Sequence, residues 1–156
     1  MKIGIIIYSH TGNTYSVALK LKNKLSAAGH SVNMERLKIT GEYQPGMKNF
    51  QIKTKPKLDT YDALVFGSPV MAFSLNPVMK SYLPQIASLQ NKKVALLVTE
   101  FFPYKWMGGN RAVGKMTKIC QSKGAEVCGS GVVNWAGARR REKKIKEVVE
   151  KLSSVF

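Results

Sequence analysis

A turn rich in hydroxyl groups separates the first predicted strand from the first predicted helix, and it constrains the fold more than any other segment. Residues 3–8 form a continuous apolar run, and a helical pattern begins directly after the turn. The turn consists of Ser9, His10, Thr11, Gly12, Asn13 and Thr14. A helix N-terminus offers unpaired backbone N–H groups and a positive dipole end, so these residues predict a phosphate-binding loop. The alternative is an ordinary strand-to-helix turn, in which Gly12 relieves strain and Asn13 or Thr14 caps the helix.

Strand and helix patterns alternate along the rest of the chain. The predicted strands lie at residues 3–8, 32–35, 63–67, 94–98 and 127–133. Three of them are continuous apolar runs, which is typical of parallel strands covered on both faces. Between the strands, apolar residues recur at helical spacing, and Asn76 followed by Pro77 is a typical helix start.

This alternation predicts an α/β fold with three layers, in which helices cover both faces of a doubly wound, five-stranded parallel sheet. With the phosphate loop after the first strand, the expected strand order is 2-1-3-4-5. Residues 38–57 show no period and are interrupted by Pro45, Gly46 and Pro56, so they predict a long loop in place of a helix. The 156 residues are expected to form a single domain, 1–156.

Three segments resemble the cofactor loops of the flavodoxin family. Residues 9–14 match its FMN-phosphate loop, which reads Ser or Thr, any residue, Thr, Gly, any residue, Thr. Residues 67–70 (Gly-Ser-Pro-Val), followed by Asn76-Pro77, resemble the second FMN loop, and Gly108-Gly109 resembles the paired glycines of the third. Flavodoxin-like quinone reductases share the Gly-x-Pro segment of the second loop and the paired glycines of the third. The resemblance spans nearly the whole chain and implies a flavodoxin-like fold with FMN as cofactor.

In an open parallel sheet, ligands bind beyond the carboxyl ends of the strands, where the winding reverses. The loops after the third and fourth strands reach that edge and are rich in aromatic and thioether side chains, which offer flat apolar faces to an isoalloxazine ring. Beyond the first turn, the predicted cofactor-binding residues are Ser68, Pro69, Val70, Met71, Ala72, Phe73, Thr99, Glu100, Phe101, Phe102, Trp106, Gly108 and Gly109. Phe73, Phe102 and Trp106 are expected to contact the ring, with Met71 as an alternative. The competing interpretation is that these side chains only pack the loops.

The chain carries a formal net charge of +16. Lys48, Lys53, Lys55 and Lys57 follow the second strand, and Arg139, Arg140 and Arg141 begin the last helix, so both groups are expected at the ligand edge. Arginines at a helix N-terminus oppose its dipole at a cost of about 0.3–1 kcal/mol each. They therefore predict an anionic partner, either an acidic redox protein or NAD(P)H, although a solvated charged face is the simpler alternative.

Other classes of function fit the sequence less well. No helix-turn-helix, zinc-finger or RNA-binding signature accompanies the basic residues, which disfavours a nucleic-acid partner. No segment has the length of a membrane span or the features of a secretory signal. Two histidines and the separated Cys120 and Cys128 predict neither a metal site nor a nucleophilic triad, and unpaired thiols are typical of a cytoplasmic protein.

The sequence thus predicts an FMN-binding redox protein whose flavin carries the chemistry, with no separate catalytic residue. The first hypothesis is electron transfer to or from an acidic partner. The second is an NAD(P)H-dependent FMN or quinone reductase, and the third is a cofactor-free interaction module. One departure from electron-carrier flavodoxins favours two-electron chemistry. In that family the peptide group of a glycine in the second loop forms a hydrogen bond with the flavin N5, and residues 68–75 contain no glycine.

Overall fold

Parallel strands form the centre of the molecule in this computed structural model, which describes residues 1–42 and 48–156. They are β1 (Lys2–Ile7), β2 (Ser31–Arg36), β3 (Ala63–Met71), β5 (Lys93–Glu100) and β6 (Glu126–Asn134). Their order across the sheet is β2-β1-β3-β5-β6, with every neighbouring pair parallel. The predicted order of the five parallel strands is confirmed.

A sixth strand, β4 (Ser74–Leu75), was not predicted. The chain does not leave the sheet at Ser68 as a loop, because β3 continues to Met71 and turns back so that Met71 pairs with Ser74. Ala72 and Phe73 fill this two-residue turn with φ angles of 49° and 59°. A tight antiparallel hairpin of this type requires positive φ at both central positions, and here neither position is a glycine.

Helices lie on both faces of the sheet. They are α1 (Asn13–Ala27), α2 (Pro77–Tyr82), α3 (Gly109–Ser122) and α4 (Ala138–Ser153). Helices α2 and α3 pack on one face and α1 and α4 on the other, each with its own hydrophobic cluster, as the predicted three layers require. Asn76 caps α2 by accepting a hydrogen bond from the Val78 N–H at 2.9 Å, which confirms the predicted helix start.

The connection from β2 to β3 contains no helix in its described parts, residues 37–42 and 48–62. Ile39 and Ile52 form an antiparallel bridge, and Ile39, Phe50, Ile52 and Leu58 pack against the sheet where a helix would otherwise lie. The predicted long loop is confirmed for these residues. Pro45 and Gly46 lie outside the described residues.

Candidate functional site

The first loop presents the N-terminus of α1 at the carboxyl edge of the sheet, where the parallel strands end. Gly12 precedes the helix with a φ of 92° and makes no side-chain cap. The hydroxyl of Ser9 accepts a hydrogen bond from the Tyr15 N–H at 3.2 Å, and Arg36 donates to the Ser9 carbonyl at 3.0 Å. Because the first N–H groups of a helix have no partner within it, those of Asn13 and Thr14 are donors for an anion.

A cavity of about 240 Å³ lies where the three predicted loops meet. Its lining residues are His10, Thr11, Asn13, Thr14, Pro69, Val70, Asn76, Thr99, Glu100 and Phe101. All except Asn76 are predicted cofactor-binding residues, and Asn76 is predicted as a helix cap that follows the second loop. The structure therefore brings together residues of all three loops, and the cavity lies between β1, β3 and β5, where the winding of the sheet reverses.

Thr14 and Thr99 link the first and third loops through their side chains. Their hydroxyl oxygens lie 2.8 Å apart, and the two residues are 1% and 2% exposed. A hydroxyl can donate one hydrogen bond and still accept others, so this pair can hold the loops together and also bind a ligand.

Glu100 is a buried carboxylate in the wall of the cavity. One oxygen accepts a hydrogen bond from the Gly109 N–H at 3.0 Å, and the other accepts from the Asn134 side-chain amide at 2.8 Å. Burial raises the pKa of Glu100 above its ordinary value of 4.5, and these two hydrogen bonds offset part of the rise. Asn134 was missed by the sequence analysis, although its place at the end of β6 puts it at the same edge of the sheet.

Gly108 and Gly109 are buried within the protein and do not line the cavity. A Cβ atom on Gly108 would lie 2.7 Å from Val70 Cγ1, and one on Gly109 would lie 2.6 Å from Val132 Cγ1. Their role in the structure is to let the third loop approach the β3–β4 hairpin and β6 closely. Ser68 is also buried and donates a hydrogen bond to the Pro69 carbonyl at 3.0 Å.

Exposed aromatic side chains are concentrated in the β3–β4 turn and the third loop, and one of them, Phe101, lines the cavity. Among the large hydrophobic residues of the described chain, the exposed ones are Met1, Phe73, Phe101, Phe102, Tyr104 and Trp106. Phe73 and Phe102 stack with ring centroids 5.2 Å apart. The hairpin and the third loop therefore meet through two of the residues that are predicted to contact the flavin ring. Trp106, the third residue predicted to contact the flavin ring, stacks on Tyr104 with ring centroids 5.9 Å apart. A patch of this kind on a protein surface is typical of a binding site.

The positive charge at this edge is distributed differently from the prediction. Arg139 and Arg140 are exposed in the first turn of α4, but Arg141 donates a hydrogen bond to the Trp135 carbonyl at 3.0 Å and stacks over its ring. Arg141 therefore fixes the start of α4.

The lysines after β2 also separate. Lys53 lies beside the end of β2, since its backbone N–H donates a hydrogen bond to the backbone carbonyl of Lys38 at 2.7 Å. Lys55 and Lys57 line a groove with residues 85–88, which follow α2 and lie toward the amino ends of the strands. The expectation that the whole lysine group lies at the ligand edge is wrong. Because β3 runs parallel to β1 and β2, the chain must return to the amino ends of the strands before it enters β3.

A helix N-terminus, a hydroxyl-lined cavity and an aromatic rim at the switch point of a parallel sheet define an α/β protein that binds a phosphate-bearing aromatic cofactor. The chain belongs to the family of NADPH-dependent FMN reductases, whose family model matches residues 1–139. No curated protein sequence matches the chain significantly.

Solved structures with the same fold include flavodoxins and flavoproteins. Oxidised flavodoxin 2 from Bacillus cereus is 22% identical, with 100% of both chains covered and a TM-score of 0.70. Two-electron reduced flavodoxin from Megasphaera elsdenii is also 22% identical over 97% of this chain and 98% of that one, with a TM-score of 0.70. A flavoprotein in complex with FMN from Lactobacillus acidophilus is 16% identical over 94% and 97%, with a TM-score of 0.66. The flavodoxin-like fold is confirmed.

FMN is the cofactor, and the residues of the cavity fit it. The N–H groups of Asn13 and Thr14 and the hydroxyl of Thr11 would hold the phosphate, and the exposed aromatic residues offer faces for the ring. Sites for ligands of this size enclose about 300–1,000 Å³, so the cavity itself takes only part of the molecule. Bound FMN supplies the capacity to accept and return electrons. The protein is thus an FMN-binding redox protein, and the alternative of a cofactor-free interaction module is wrong. No helix among the described residues has the length and apolar character of a membrane span.

Proposed function

We propose that the protein is an FMN-dependent oxidoreductase that takes electrons from NADPH and delivers them to a small planar acceptor, such as a quinone. In the overall reaction NADPH gives up a hydride to become NADP⁺. The quinone gains two electrons and two protons, the second proton coming from solvent. NADPH is the donor that the family's name specifies.

The observation that carries this proposal is the exposed aromatic patch at the mouth of the cofactor cavity. Phe101, which lines the cavity, and Phe73, in the adjoining hairpin turn, are 71% and 49% exposed, an unfavourable arrangement unless a ligand covers them. Nicotinamide and quinone rings are both flat and would stack on such faces. Residues 68–75 lack glycine, and their turn is held between paired strands, which supports two-electron rather than one-electron chemistry.

Steady-state turnover tests this function. FMN-loaded protein is mixed with NADPH and 1,4-benzoquinone, and nucleotide oxidation is followed by absorbance. We expect sustained turnover that depends on the quinone and on bound FMN. Absence of turnover with both NADPH and NADH, in protein shown to retain FMN, would exclude the reductase.

A second candidate is electron transfer to or from an acidic protein, favoured by the net charge of +16 and by exposed Arg139 and Arg140 at the cofactor edge. Such a partner would associate faster at low ionic strength, because screening shortens the reach of surface charges. Electron-transfer rates to an acidic ferredoxin, measured from about 0.01 to 1 M salt, would fall steeply for this function. They would stay flat for a reductase of small molecules.

The free thiols of Cys120 and Cys128 support a cytoplasmic location, since disulfides rarely form there.

A further inference from the structure

A second cavity, of about 420 Å³, lies between the third loop and the start of α4. Tyr104, Lys105, Trp106, Asn134, Arg140 and Lys144 contribute to its lining. It shares a wall with the cofactor cavity: the Asn134 amide donates to the Glu100 side chain and to the Phe102 carbonyl, both at 2.8 Å. Because both amide hydrogens are used in this wall, Asn134 can offer the second cavity only its carbonyl oxygen, a hydrogen-bond acceptor.

Positive charge in this cavity lacks compensation. Lys105, Arg140 and Lys144 line it, and among the residues that the structure describes no carboxylate does. The only ion pair that any of them makes within the described chain joins Lys144 to the exposed Glu147 of the same helix, at 3.8 Å. Burial and the neighbouring Lys105 lower the pKa of Lys144, so the site disfavours its own cation. An anion placed among the three side chains would remove this repulsion.

Flat apolar faces adjoin the charges. Tyr104 and Trp106 stack with an interplanar angle of 7°, and they are 54% and 74% exposed. An acidic peptide would satisfy the cations and leave these rings uncovered. A nucleotide meets both requirements, since its base stacks on aromatic rings and its phosphates pair with Lys and Arg.

We propose that this second cavity binds the adenosine phosphate part of NADPH. The adenine ring stacks on the Tyr104–Trp106 pair, and Lys105, Arg140 and Lys144 bind the phosphates. The inference rests on the proposed function, because it locates the donor of that reaction. Three cations suit the additional 2′-phosphate of NADPH, so NADP⁺ binds more tightly than NAD⁺.

The test is calorimetric titration of FMN-loaded protein with NADP⁺, and separately with adenosine 2′,5′-bisphosphate. Lys144→Met keeps the length of the side chain and removes the charge, and we expect it to weaken NADP⁺ binding by about tenfold, the loss typical of one charge-assisted hydrogen bond. The matched control is Lys146→Met, the same change at an exposed position of α4 that lines a groove on its other side. Trp106→Ala tests stacking without a change of charge and is expected to weaken both probes.

The outcomes separate this site from the proposed function. Selective loss in Lys144→Met, with FMN content and melting temperature unchanged, together with weaker binding of both probes by FMN-loaded Trp106→Ala, supports the site. Wild-type affinity in both variants overturns it while quinone-dependent NADPH oxidation still stands. If the wild-type protein binds neither probe, the site is wrong whatever the turnover assay shows. Equal displacement of NADP⁺ by a short single-stranded DNA and by adenosine 2′,5′-bisphosphate would overturn nucleotide specificity. Should Lys144→Met fold poorly, Lys105→Met is expected to give the same selective loss.

Discussion

The hydroxyl oxygens of Thr14, in the first turn of α1, and Thr99, near the end of β5, lie 2.8 Å apart and are shielded from solvent. This hydrogen bond joins segments 85 residues apart in the sequence. It fixes the helix N-terminus that would hold the FMN phosphate relative to the loop that carries the aromatic residues. Cofactor binding and protein stability should therefore be coupled through this pair.

Thr99→Val removes one hydroxyl and keeps the shape of the side chain. The Thr14 hydroxyl then loses its partner in a buried position, and we expect the free energy of unfolding to fall by about 1–2 kcal/mol. Urea unfolding of the FMN-free protein measures this loss. FMN affinity should fall as well, because the first turn of α1 is less firmly held.

The control is the double variant Thr14→Val, Thr99→Val. With both hydroxyls absent no buried group lacks a partner, so the double variant should lose less stability than the sum of the single variants. Strictly additive losses would show that the two hydroxyls act independently.

The sheet and the first loop were predictable because their signals are local. Apolar runs mark the buried strands, and the spacing of residues 9–14 places a hydroxyl-rich turn before a helix. Asn76 could be assigned as a helix cap for the same reason, since its partner Val78 is two residues away.

Contacts between distant segments could not be predicted. Nothing in the sequence shows that Phe73 stacks on Phe102, that Asn134 binds Glu100, or that Arg141 turns toward Trp135. The β3–β4 hairpin was missed because Ala72 and Phe73 are not residues that favour positive φ, so the usual turn signal is absent. Sheet pairing overrides local preference at this point.

Glu100→Gln tests the raised pKa of the buried carboxyl. Between the ordinary pKa of 4.5 and the raised one, the folded protein retains a proton that the unfolded chain has lost. The contribution of protonated Glu100 to the free energy of unfolding is therefore complete below pH 4.5, and it is lost as the pH rises through the pKa of Glu100 in the folded protein. We expect the stability of the wild-type protein to fall relative to that of Glu100→Gln as pH rises from acid to neutral. Urea unfolding at a series of pH values measures the difference, and Glu126→Gln, at an exposed carboxyl, controls for the loss of one charge. Parallel profiles for wild type and Glu100→Gln would contradict the prediction.

Ala72→Gly should stabilise the protein. Ala72 has a φ of 49° in the hairpin turn, a conformation that glycine adopts without steric cost. We expect a gain of about 0.5–1 kcal/mol in the free energy of unfolding, measured by denaturant titration of the FMN-free protein. The comparison is Ala87→Gly, at an exposed residue outside the positive-φ region, which should bring no gain. Equal effects of the two substitutions would show that the turn is not strained.

Gly109→Ala should separate close packing from helix propensity in α3. The new Cβ atom would lie 2.6 Å from Val132 Cγ1 and 2.8 Å from Glu100 Oε1, so the third loop must shift or the Glu100 hydrogen bond must break. Overpacking of this kind costs about 1–3 kcal/mol, and FMN affinity should fall because Glu100 lines the cavity. Gly114→Ala is the matched control in the same helix: its Cβ would meet no atom within 4 Å, and it should gain about 1 kcal/mol from helix propensity. Thermal unfolding and FMN titration of both variants give the two readouts. Retention of full FMN affinity by Gly109→Ala would mean that the contact between Gly109 and Glu100 does not shape the cofactor site.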